Sequence, residues 1–220
     1  MPSKELQTQM TLQQNDRLFD NADVASIPDN EFRALNALDV SISRCLQKYE
    51  VIFQIVAQDK TEMNRSLVLL TWELVDWFER TRKILHCAKG IKHNEPAFGL
   101  ISRSLNAAED FRHILQHFDR FLKRSYDTDF APLGAVSAIH MLDDGSFRAL
   151  VYNAGTVLGN TNMGSVKLPE QMIGPVDYVT LQIDGQELNI SEIARKLLDY
   201  YTTLRNRVSK KYPKPEQVSA

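Results

Sequence analysis

A chain of 220 residues, 43% hydrophobic and 25% charged, is long enough to bury a core of its own, which excludes wholesale disorder. Its formal charge of -2 excludes a global attraction to nucleic acid, so such a partner has to be met by a local basic patch. Two cysteines, Cys45 and Cys87, supply no disulfide framework. Both lie in segments that read as helix and are expected as reduced, buried or half-buried thiols.

In chain order, residues 1–28 are polar, Gln-rich near the start and without an apolar leader segment. They are expected as a flexible arm or a loosely docked extra helix. From Asn30 the spacing changes. Phe32, Leu35, Leu38, Ile42, Cys45, Tyr49, Ile52 and Val56 recur every three or four residues and predict one long amphipathic helix. A polar break over 58–64 precedes a second stripe of Leu67, Leu70, Leu74, Trp77, Phe78, Thr81, Ile84, Leu85 and Ala88, which Gly90 is placed to stop. The run Leu67-Val68-Leu69-Leu70 falls far short of the roughly 20 apolar residues of a membrane span. A soluble cytoplasmic protein is the expectation.

A third helix is expected to start near Asn94-Glu95-Pro96, with the proline suited to a first turn, and to end near Lys123 to Asp127. Its inward residues are Leu100, Ile101, Leu105, Ala108, Phe111, Ile114, Leu115, Phe118, Phe121 and Leu122. The period then drops to two. Ala135–Met141 and Phe147–Tyr152 read as strands about an Asp143-Asp144-Gly145 turn, and Tyr178–Ile183 and Glu187–Ile190 as strands about Asp184-Gly185. Ser191 is the expected cap of a last helix striped by Ile193, Leu197, Leu198, Tyr201, Leu204 and Val208. The expected organisation is an arm over 1–28, a helical bundle over 29–125, a β-rich insert over 126–190, a final helix over 191–211 and a tail over 212–220. The fold class is mainly α: an antiparallel four-helix bundle with a small hairpin-rich insert before its last helix.

One short constellation stands out, Arg112-His113-Ile114-Leu115-Gln116-His117. At about 100° per residue, Phe111, Ile114, Leu115 and Phe118 share one side of the helix. Arg112 and His117 border that stripe on opposite flanks, with His113 beside His117, and both are expected to project away from the core.

Here the chain resembles the HEPN family, whose signature is an arginine, four to six residues and a histidine, often with Asn, Asp or His after the arginine. His113 fills that place, the gap of four fits, and Glu109 or Asp110 supplies the acidic residue upstream. The resemblance covers roughly 30–125, with 190–210 as an extension. The β segment and the late position of the motif depart from the family. Arg80 with His86 also matches the spacing, though Thr81 follows the arginine.

The resemblance implies metal-independent RNA cleavage by a homodimer, with the motifs meeting across a two-fold axis and no cofactor. His117 would move the proton, since imidazole suits transfer to and from a ribose hydroxyl or leaving oxygen. Arg112 would meet the charge on the phosphate and His113 would orient the group. Many members of the family only bind, so fold alone does not imply an enzyme.

Other readings stand beside this one. Arg112, His113 and His117 also read as a solvated polar face. Asp110, His113 and His117 share a helix face as metal ligands would, but no second helix offers a partner motif. Arg80, Arg82, Lys83, Lys89 and Lys92, with His86 and His93, read either as an RNA-binding patch or as cations offsetting a helix C-terminus. The Gly- and Asn-rich stretch over 153–164 lacks the spacing of a phosphate loop. Trp77 and Phe78 read as core, with Trp72 less clearly so. A non-catalytic protein-interaction or structural role is the alternative from a different class.

Overall fold

The computed structural model describes residues 17–58, 64–88, 95–125, 131, 133–154, 166 and 176–215. Among them are five α-helices and one four-stranded antiparallel sheet, the sheet standing in sequence before the last helix. No helix among the described residues is long and apolar enough to cross a membrane.

Helix α1 spans Asp29–Ala57 and follows Pro28, with Asp29 and Glu31 in its first turn, where acidic groups suit the helix dipole. Its predicted stripe is buried from Leu35 to Val56, and Leu46, Phe53 and Ile55 widen it. Helix α2, Asn64–Cys87, buries Leu67, Val68, Trp72, Leu74, Val75, Phe78 and Leu85, while Trp77 is half-buried. Helix α3, Pro96–Gln116, opens on its proline and buries Phe98, Ile101, Leu105, Ala108 and Phe111. Leu100 and Leu115, expected inside, are 50% and 37% exposed. They lie near the two ends of the helix, at the margins of its buried face.

The third helix is also shorter than its periodicity suggests. It ends at Gln116; His117, with φ -111° and ψ 33°, turns the chain, and α4 covers Phe118–Ser125. Apolar spacing continues through the turn, so it hides the break. The last helix, α5, spans Ile190–Lys211. Its cap is Asn189, whose side chain accepts from Glu192 N, and not Ser191. Ser191 is fully buried, and its Oγ accepts the Val179 amide at 2.9 Å and the Tyr49 hydroxyl at 3.0 Å.

Polar pairs mark how the long helices meet. Between α1 and α2 these are Ser41 with Thr81 and Lys48 with Glu73; between α2 and α3, Arg82 with Glu109 and Arg112 with Asp76. Between α3 and α5 they are Ser104 with Lys196 and, from the residue just before α3, Glu95 with Arg207. Between α5 and α1 they are Lys211 with Glu31, Tyr201 with Asp39 and Ser191 with Tyr49. In each of these four pairs one number rises as the other falls, so each pair runs antiparallel. Residues 17–28 lie against the α1–α5 end. Leu18, Ala22 and Ile27 are buried, Leu18 N donates to Asp39 Oδ1, and Ala22 bridges Pro213. The earlier part of the expected arm, 1–16, falls outside the described residues, as does most of the Gly- and Asn-rich stretch.

The sheet comprises β1 (Ala135–Met141), β2 (Phe147–Asn153), β3 (Val176–Ile183) and β4 (Gln186–Asn189), in spatial order β2-β1-β3-β4. Both predicted hairpins form. Asp184 and Gly185, at φ 50° and 73°, make the two-residue turn between Ile183 and Gln186. Val136, Ala138, Leu150, Tyr152, Val179, Leu181 and Leu188 join the same apolar cluster as the helices, and Trp72 Nε1 donates to Leu133 O at 2.9 Å. Between Ser137 and Ile139 the β1–β3 register shifts, so that Tyr178 and Val179 oppose Ala138. Tyr178 sits at φ 53° there, which turns the Val179 amide out of the ladder and toward Ser191.

Candidate functional site

Along α2, Asp76 stands four residues before Arg80, and Glu79 three before Arg82 and four before Lys83, the spacings that bring side chains together on a helical surface. Glu109 and Arg112, three residues apart on the antiparallel α3, come within reach of that surface and close a charged seam between the helices. Arg112 Nε donates to Asp76 Oδ1 at 2.9 Å, and Arg80 Nε donates to the other oxygen, Oδ2, at 2.7 Å. Arg82 is used up inside the seam, donating to both oxygens of Glu79 and to Glu109 Oε1. Lys83 Nζ stands 3.3 Å from Glu79.

Arg112 therefore does not share an outward face with His117. Its side chain is 25% exposed and lies in the seam, because α3 turns that flank toward α2. His113 and His117 are exposed, one in the last turn of α3 and the other at the break before α4. The structure thus brings Arg112 to Arg80 and leaves the two histidines at the solvent-facing end of the same helix. Lys89 and Lys92, and His93 with them, lie outside the described residues. His86, the histidine of the second motif match, lies against Ser102, with Nε2 to Oγ at 3.1 Å, and edge-on to Phe98.

The seam's electrostatics follow from its pairing. Burial raises the cost of charge on Asp76, but hydrogen bonds from Arg112 and Arg80 outweigh it and hold its carboxyl below the usual carboxylate range. Glu79, 2% exposed, is likewise opposed by burial and held low by Arg82 and Lys83. The Arg82 guanidinium is pushed up by its hydrogen bonds to Glu79.

Asp76 is, with Glu79, a residue that sequence reasoning missed. Its place four before Arg80 was a readable signal for the pair within α2; its contact with Arg112 depended on the phase of two helices. Among the described residues no three His, Cys, Asp or Glu side chains are grouped to hold a metal, so Asp110, His113 and His117 do not form a ligand set. Comparison with protein-family models, with curated proteins and with solved structures finds no match to this chain.

Proposed function

We propose that the chain is a HEPN-like antiparallel four-helix bundle acting on RNA as a homodimer. In this reading Arg112 engages the phosphate, His117 moves the proton and His113 orients it. Arg80 and Lys83, with Lys89 and Lys92, supply charge for the strand. Arg82 serves the seam instead.

The observation that carries the reading is the hold of Asp76 on Arg112. A carboxylate on Nε fixes the plane of a guanidinium and leaves its terminal nitrogens for a phosphate. An arginine merely decorating a helix surface would have no such restraint. The exposed His113 and His117 stand one turn apart beyond it, where a second protomer could reach them.

The test is cleavage of single-stranded RNA by the purified protein in the presence of a chelator. A 2′,3′-cyclic phosphate product is expected, and His117→Ala is expected to lower the rate by about 10²-fold or more. Sedimentation should report a dimer at the concentrations assayed. Equal inertness of the wild type and His117→Ala on diverse RNAs would sink the ribonuclease. The alternative, a non-catalytic interaction module, draws on the same ion pair: Arg112 and Asp76 then simply join α2 to α3. It predicts that Arg112→Ala lowers stability and changes no RNA-dependent signal.

A further inference from the structure

Two guanidiniums on neighbouring helices are held by the two oxygens of one carboxylate. With two positive charges on one negative, the Arg80–Asp76–Arg112 trio keeps a net charge of +1. Both arginines are gripped through Nε, and among the described residues neither has a partner for its terminal Nη nitrogens. Arg80 is 57% exposed along its side chain, and its guanidinium lies 5.2 Å from the centre of the Trp77 ring. The Trp77 ring restrains that group from one side, and more than half of the side chain remains exposed to solvent.

We propose that Arg80 and Arg112, set by Asp76, form a cradle for one phosphodiester of a single-stranded RNA, with the next base stacked on the exposed side of Arg80. Guanidinium forks match the paired oxygens of a phosphate, and two forks held by one anchor present a fixed spacing to a single group. A strand with unstacked bases can use the Arg80 plane as well, whereas a duplex keeps its bases to itself. Acidic neighbours limit the site to a narrow strip. Glu79 and Glu109 both pair with Arg82 and neutralise it, so the unmatched positive charge of the seam is confined to the trio and a broad duplex backbone would find no wider patch. Lys83, one turn past Glu79 and 58% exposed, extends the strip along α2. The choice of RNA rests on the function proposed above; the cradle itself rests on the seam geometry.

Binding of a labelled 2′-O-methyl oligouridine, which cannot be cleaved by the 2′-hydroxyl route, reads the cradle apart from any chemistry. Arg80→Gln and Arg112→Gln are each expected to weaken binding about tenfold or more, the scale of a charge-assisted hydrogen bond. The double variant should lose little beyond either single change, because both arginines grip one group. Arg80→Lys and Arg112→Lys should bind as poorly as the Gln variants, since an ammonium keeps the charge but not the fork. Lys210→Gln, at the end of α5, should bind as the wild type. Should Arg112 variants fail to fold by circular dichroism, the exposed Arg80 carries the comparison alone.

Wild-type binding by Arg80→Lys would overturn the cradle, as would losses in the two Gln variants that simply multiply. Uridine monophosphate or an acidic peptide that competes as well as the oligomer would overturn the RNA strand as occupant. Intact oligouridine binding without RNA cleavage would retain the cradle and remove the ribonuclease. Cleavage unaffected by Arg80→Gln would do the reverse.

Discussion

Burial works against an ionised carboxyl at both Asp76 and Glu79, and hydrogen bonds from cationic side chains overcome it at both positions. Their folded-state pKa values are therefore below those of the unfolded chain, about 4 for Asp and Glu. The stability they contribute is fully present above pH ~4 and is lost as the pH falls through the lower folded values. Urea midpoints measured from pH 7 downward should show this acid limb, and it should be shallower in the double variant Asp76→Asn with Glu79→Gln. An unchanged limb would mean that the seam is not where the protein's acid sensitivity resides. At this scale the arginine-to-histidine spacing, the charged residues of α2 and both glycine turns were legible, because each depends on neighbours in sequence. The Arg112–Asp76 contact was not, since 36 residues separate the partners and only the packing of α3 on α2 joins them. Ser191 misled for a related reason. Its type suits a cap, yet a deeper demand, the displaced Val179 amide, takes its hydroxyl.

Helices announce themselves through their apolar spacing, and α1, α2 and α5 fall close to where it predicts. What spacing cannot report is an interruption that leaves the period intact, and the turn at His117 is one. The core burden of α3 consequently rests on residues before the break. Phe111 is 3% exposed and packs 6.3 Å, centroid to centroid, from Trp72. Phe111→Ala is expected to cost about 3–5 kcal/mol in chemical denaturation. Leu115→Ala, at a partly exposed position, should cost distinctly less, and equal costs would show that α3 is rotated from the orientation described. The hairpins offer a second comparison. Gly185 at φ 73° has open space where a Cβ would stand, so Gly185→Ala should cost only the conformational strain, about 1–2 kcal/mol. Gly134 has the same φ, but a Cβ there would lie 2.5 Å from the Gln182 carbonyl oxygen. Gly134→Ala should therefore lose clearly more in the same denaturation experiment, because backbone on β3 must shift as well as strain.

For the molecule as a whole, the sequence order of helices and strands was readable, but their neighbourhoods were not. Four strands were legible as two hairpins; that β1 would stand between β2 and β3, and be buried from Ala135 to Ile139, required knowing which face met the helices. The pairing of α5 with α1 is the longest-range example among the helices, running from Tyr49 and Ser191 to Glu31 and Lys211. That pairing bears on how the chain acquires its structure. Ribosomes deliver α1, α2 and α3 well before Ile190, so those helices can settle against one another early through local contacts. Tyr49 and Asp39 on α1 lack their partners Ser191 and Tyr201 until the final helix has been made. Closing so long a loop is an entropic delay that grows only slowly with length. Nascent chains halted inside the sheet region would thus be the species that chaperones hold, their α1 still without those partners.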